Sequence, residues 1–186
     1  MSFPNDNCTC CVPSIFTERL ELVAITPESL RSELAADGRL AEILQCRVTP
    51  EWPLDDWEPH VFELLLKMFA DHPDDIGWHR YVLLRGPENG ERVLIGSTGG
   101  LRWPEDRRSP ETGYAIAPEF RRKGYALEAA QAMIEWMKAS GEADQIVAHT
   151  FPELAGSIRI LECCGFVLEG PGKEAGTIRY TLNLTP

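Results

Sequence analysis

The chain has 186 residues, 44% hydrophobic and 25% charged, which is the balance of an ordinary globular protein with length for one real core. Its net charge of -11 is spread along the sequence, with no basic stripe to release counterions from a nucleic-acid backbone; nucleic acid is excluded as a first partner. No run approaches the roughly 18 apolar residues of a membrane span, and the opening Met1-Ser2-Phe3-Pro4 lacks the basic end and apolar run of a signal peptide, so the cytoplasm is the expected compartment. An acidic surface favours approach of a cationic acceptor such as an amine or a basic peptide, although acidity also serves solubility alone.

Residues 1–14 are polar and proline-bearing, which predicts a flexible tail ahead of a single domain over 15–186. A first strand is expected over residues 17–25, with Leu20 and Leu22 on one face. Thr26-Pro27-Glu28 reads as a capped helix start, and the helical pattern runs through Leu30 and Leu34, pauses at Asp37-Gly38, and resumes through Leu40, Ile43 and Leu44. Residues 48–59 carry Pro50, Trp52, Pro53, Trp57 and Pro59 and read as a structured loop, its tryptophans either partial core or pocket lining. Another apolar helix is predicted over 61–70.

Strands over 78–85 and 92–103 are joined by a connection ending in Asn89-Gly90, a hairpin signal, and Gly99-Gly100 suggests a bulge or bend in the second. A fourth strand spans 111–117. A long helix then starts near Lys123 and ends near Ser140-Gly141, its apolar stripe running Ala126, Leu127, Ala130, Met133, Ile134 and Met137. A buried fifth strand over 145–150, a helix over 152–164 closed by Gly165, and a final pair over 166–169 and 177–184 complete the chain. The six cysteines do not space a disulfide framework and are expected as free thiols. Cys8, Cys10 and Cys11 have no Cys/His pair elsewhere at a zinc spacing, so no metal site is expected. Cys163 and Cys164, at a helix C-terminus whose dipole opposes a thiolate, read as core filler.

Between the fourth strand and the long helix lies Arg121-Arg122-Lys123-Gly124-Tyr125-Ala126. This order aims backbone N–H groups, a helix N-terminus and cations at one point, which is what a bound pyrophosphate requires. The hexamer fits neither a Walker loop nor a dinucleotide fingerprint. It falls in sequence with Thr17-Glu18-Arg19-Leu20, Ile95-Gly96, Glu111-Thr112-Gly113-Tyr114-Ala115-Ile116-Ala117-Pro118, and the run from Ser157 to Gly165-Phe166. Together these pieces resemble the GNAT superfamily of acyl-CoA-dependent N-acyltransferases, and the last element most resembles its ribosomal-protein N-terminal acetyltransferase, or Rim-like, branch.

The resemblance implies an α+β, three-layer fold: a mixed, mostly antiparallel central sheet flanked by helices and splayed between the fourth and fifth strands, with acetyl-CoA in the gap. It implies that the amides of Arg122, Lys123, Gly124, Tyr125 and Ala126, beside Arg121, hold the pyrophosphate, and that the main chain of Ala115, Ile116 and Ala117 pairs with the pantetheine arm, Ile116 at a strand bulge also serving the thioester oxygen. The expected reaction is direct acetyl transfer to a primary amine, a protein N-terminus or a small molecule. A primary ammonium must lose a proton before it attacks. Glu111 is the candidate base, against the reading of a strand-end carboxylate facing solvent, and His149 is a second candidate, against a structural role. Ser157 matches the family residue that protonates the leaving thiolate, against a role in helix packing. Leu154 stands where many relatives carry an asparagine and can neither donate nor accept a hydrogen bond. That departure keeps open an acyl-CoA-binding module with little turnover, and the cysteine-bearing tail keeps open an interaction protein.

Overall fold

The computed structural model describes residues 12–54, 57–86 and 90–184. The tail cysteines and part of the expected hairpin connection lie outside them. Residues 12–14, assigned by composition to the tail, touch the sheet: the Pro13 carbonyl accepts from Arg80 at 2.9 Å, and Ser14 Oγ donates to Glu21 at 3.0 Å.

Strands β1 (Ile15–Phe16) and β2 (Leu20–Ala24) lead to α1 (Pro27–Ala35). The helix starts where the sequence places it, because Thr26 accepts from the Ser29 amide while Ser29 Oγ accepts from the Thr26 amide. After α2 (Leu40–Leu44) comes β3 (Arg47–Val48), a parallel two-residue addition to a later strand that the sequence reading does not contain. Helix α3 (Pro59–Asp71) begins on its proline. Strands β4 (His79–Arg85), β5 (Arg92–Leu101) and β6 (Glu111–Ile116) form the antiparallel meander. Then follow α4 (Tyr125–Ser140), β7 (Gln145–Thr150), α5 (Ala155–Cys163), β8 (Val167–Pro171) and β9 (Ile178–Asn183). No helix among the described residues is long and apolar enough to cross a membrane.

The strand order is β1-β2-β4-β5-β6-β7-β9-β8, antiparallel except where β3 meets β5 and β6 meets β7. Alternation along β4 shows how the layers form. Tyr81 and Leu83 join Ile25, Leu30, Phe62 and Leu65 under α1 and α3, while Val82 joins Leu20, Ile95, Ile116 and Ala129 under α4. Met133, Met137, Ile146, Leu161 and Tyr180 bury the faces of α4 and α5 on the other half of the sheet. The result is the expected three-layer α+β architecture. Trp52 is core, with its Nε1 donating to Glu33 at 2.8 Å.

The break expected at Gly99-Gly100 is absent. Gly99 pairs with both His79 and Gly113, and Gly100 with Thr112, in unbroken register. The bulge lies instead where Val82 pairs with Gly96 and Leu83 with Leu94, leaving Ile95 as the extra residue. Close packing accounts for the glycine at position 99: a Cβ there would lie 2.9 Å from the Trp78 carbonyl oxygen and 3.0 Å from His79 Cα, both backbone atoms.

Candidate active site

The gap opens where the sheet changes direction. Parallel strands β6 and β7 share one registered pair among the described residues, Glu111 with Val147, beside a bond from the Val147 amide to the Pro110 carbonyl at 3.0 Å. Beyond that point they part. The Ala117 amide donates to Ile95 at 2.8 Å, so the two-residue alternation of an antiparallel pair turns Ala115 and Gly113 toward β5 and turns Tyr114 and Ile116 toward the gap. Of Ala115, Ile116 and Ala117, only Ile116 therefore offers its main chain to a ligand there. Nor does β6 carry the expected bulge, since its register with β5 is continuous.

At the far end of the gap, the chain turns through Arg122 and Gly124, both in the left-handed region at φ 61 and 84. Such turns point successive amides to one side. Among the described residues, the amides of residues 122–127 have no backbone partner; the first that does is Glu128, which donates to Gly124 at 3.1 Å. Gly124 caps α4 with no side chain in the way. Ala126 and Leu127, which open the apolar stripe of the helix, are half-buried and line a cleft of about 510 Å³ with Tyr125, Gly156, Arg159 and Cys163. Cys163 is accordingly exposed and not core filler, because the C-terminal turn of α5 lies over the cleft. Burial raises the Cys164 thiol above its ordinary range.

Side chains hold this turn from behind. Arg121 Nε donates to the Ile116 carbonyl at 2.7 Å, which ties down the cation expected to meet the pyrophosphate. Arg19 donates to the Lys123 carbonyl at 2.9 Å, pairs with Glu128 at 2.6 Å, and stacks 4.5 Å over the Tyr125 ring. Glu128 also accepts from Thr17 Oγ1 at 2.5 Å and from the Arg19 amide at 2.9 Å. Burial alone would raise its pKa, but the bonds from Thr17 and Arg19 outweigh it and leave the carboxyl below its ordinary value. Arg107 and Arg108 are engaged elsewhere, with Asp75 and Asp144.

Where β6 and β7 meet, Glu111 and His149 come together. Glu111 Oε1 lies 2.8 Å from His149 Nδ1, and its Oε2 accepts from Trp103 Nε1 at 3.1 Å. An ionised carboxylate only accepts, so Nδ1 carries a hydrogen toward Glu111 and a neutral His149 presents Nε2 as a free lone pair. The two competing base candidates thus form one pair. Ser157, in the first turn of α5, has its Oγ 3.3 Å from the Tyr114 hydroxyl, which also donates to the Ser157 carbonyl at 3.1 Å. Burial raises the Tyr114 phenol above its ordinary range, keeping it protonated. Leu154, at the asparagine position, is half exposed and caps α5 without a side-chain bond. The polar group that reaches Ser157 comes from the opposite wall. Glu111, Tyr114, His149, Leu154 and Ser157 all line one cleft of about 690 Å³.

A second pocket, of about 350 Å³, shares the wall from Glu111 to Tyr114 and is closed by α3. Trp57 lines it, with Nε1 donating to Ser97 at 2.9 Å, as does His79, whose imidazole burial pushes down to about 4. On sequence spacing alone, His79 had no site to belong to.

Comparison with known proteins gives the family and the fold. The chain is 30% identical over 161 residues to YjdG of Bacillus subtilis strain 168, an uncharacterized N-acetyltransferase, covering 85% of this chain and 92% of that one. In fold it is similar to an acetyltransferase of Agrobacterium tumefaciens strain C58, at a TM-score of 0.62 and 22% identity over 93% of this chain and 95% of the other. It is similar also to RimL, the ribosomal L7/L12 α-N-protein acetyltransferase solved with coenzyme A, at 0.60 and 16% identity over 92% and 98% of the two chains. Residues 19–167 match the acetyltransferase (GNAT) domain, so the chain belongs to the GNAT family and is an acyl-CoA-dependent N-acetyltransferase.

Proposed function

We propose that the protein moves an acetyl group from acetyl-CoA to a primary amine by direct attack in a ternary complex, with the Glu111–His149 pair as its base. One observation carries this reading: the pair stands at the closed end of a gap whose other end is a turn of unclaimed amides. From Glu111 to Ile116 the strand rises about 17 Å, the scale of an extended pantetheine arm. The amides of residues 122–126 would hold the diphosphate, and the main chain of Tyr114 and Ile116 would pair with the arm as an added strand. When bound, the thioester supplies an activated acetyl group.

The roles of this chain's residues follow from their bonds. Glu111 fixes the tautomer of His149, and Nε2 takes the proton of the incoming ammonium, directly or through water. The outward amide of Tyr114 or Ile116 is the donor for charge that develops on the carbonyl oxygen. The Tyr114 hydrogen goes to the Ser157 carbonyl, so the serine hydroxyl, 3.3 Å from the Tyr114 oxygen, donates to it at rest and turns from it to protonate the departing sulfur. The Rim-like assignment is supported by the element from Ser157 to Phe166 and by the likeness to RimL; it would make a protein N-terminus the acceptor.

The test sets thiol release from acetyl-CoA, across a panel of primary amines and peptide N-termini, beside calorimetry with coenzyme A. Amine-dependent thiol release with matching product is the expected result. Binding without release from any amine would instead favour the low-turnover acyl-CoA module that Leu154 suggests.

A further inference from the structure

The pocket beneath α3 has a chemistry of its own. Val61, Leu64 and Leu65 of α3, with Trp57 and Leu101, give it large apolar side chains. Its polar groups are largely spent. Ser97 Oγ accepts from Trp57, Thr98 Oγ1 donates to the Gly113 carbonyl at 3.2 Å, and His79 is neutral down to about pH 4. Glu111 is the one charged group lining it among the described residues. Lys173 lines the other cleft, beside Glu111 and His149, and lies 4.7 Å over the Trp103 ring.

We infer that the acceptor amine carries an uncharged, mainly apolar substituent, and that the substituent sits in this pocket while the amine meets the Glu111–His149 pair. The inference deepens the acetyl-transfer reading and rests on it. A second ammonium on that substituent would enter a pocket whose lining, among the described residues, holds no carboxylate besides Glu111, and a carboxylate on the substituent would meet no lysine or arginine there. Leu64, 37% exposed at the pocket's edge, is the apolar surface that such a substituent would cover.

The test compares kcat/KM, at saturating acetyl-CoA, for 2-phenylethylamine, 6-aminohexanoate, spermidine and a short peptide with an N-terminal phenylalanine. Phenylethylamine or the peptide is expected to exceed spermidine and aminohexanoate by about tenfold or more, and the ratio of phenylethylamine to the peptide separates a small-molecule source from a protein N-terminus. Leu64→Asp supplies the missing second carboxylate without opening the core; it is expected to lower phenylethylamine turnover and raise that of spermidine. Leu64→Asn should do only the former. Coenzyme A affinity should be unchanged in both. Preference of the unaltered protein for spermidine or aminohexanoate, or a selectivity that Leu64→Asp leaves unmoved, overturns the inference and leaves acetyl transfer standing. No turnover of any amine, with coenzyme A still bound, overturns both.

Discussion

The two ends of the gap are built on opposite plans. At the turn, the groups proposed to meet the ligand are backbone amides, and the side chains of Thr17, Arg19, Arg121 and Glu128 lie behind them as a brace. At the other end, the groups proposed for the reaction are side chains, gathered from β6, β7 and α5, while the backbone serves as scaffold. A main-chain site depends on the shape of one short segment. A side-chain site depends on elements far apart in the chain staying in register.

The largest effect should come from the side-chain end. Glu111→Gln and His149→Gln are each expected to lower kcat by about 10²–10⁴ while coenzyme A affinity stays within about twofold. Because one member orients the other, the double substitution should cost little more than either alone. Additive losses would separate the pair and return the choice to one residue.

At the turn, the expected signature is the reverse. Gly124→Val forces a branched residue into the left-handed region and brings a Cβ to 3.3 Å from Arg19 Nη2. The strain is of the order of 1–2 kcal/mol, so the dissociation constant for coenzyme A should rise about tenfold, with kcat at saturation nearly retained. A smaller loss, several-fold, is expected for Glu128→Gln, which weakens the brace without touching the amides. Its pH dependence supplies the sign. The Glu128 carboxyl lies below its ordinary 4.5 in the folded protein, so its contribution is fully present above that value and is lost as pH falls through the lower, folded value. Coenzyme A affinity should therefore decline below about pH 4.5 in the unaltered protein, and less steeply in Glu128→Gln.

The same contrast explains what could be read from the sequence. Residues 121–126 are contiguous, and a glycine before an amphipathic run announces both the left-handed turn and the helix start. The capped start of α1 and the succession of strands along the chain are legible for the same reason, being carried by local caps and periodicity, whereas the splay follows only from the family resemblance. The side-chain end was legible only in pieces. His149 read as a lone strand histidine because its partner is 38 residues away. Tyr114 passed as an ordinary strand residue, since nothing local marks a hydroxyl that meets Ser157 across the gap. Alternation also sorts Ile116 from Ala115 and Ala117, but only once the pairing partner of Ala117 is known. Strand β3 is two residues long and too short to carry a period.

The finest distinction concerns Ser157, whose position on α5 suits both chemistry and helix packing. Tyr114→Phe removes the neutral hydrogen bonds to the Ser157 carbonyl and hydroxyl, each worth about 0.5–1.5 kcal/mol, so its effect on kcat should be only a few-fold, with the fold and coenzyme A affinity kept. If Tyr114 holds the serine hydroxyl in place for the leaving sulfur, the loss should shrink for an acyl donor whose thiol has a lower pKa, which departs without help. Ser157→Ala should show the same dependence on the leaving group. A loss in Tyr114→Phe that is equal for all thiols would mean the hydroxyl only packs α5 against β6, and it would remove Ser157 from the chemistry while leaving the Glu111–His149 pair in place.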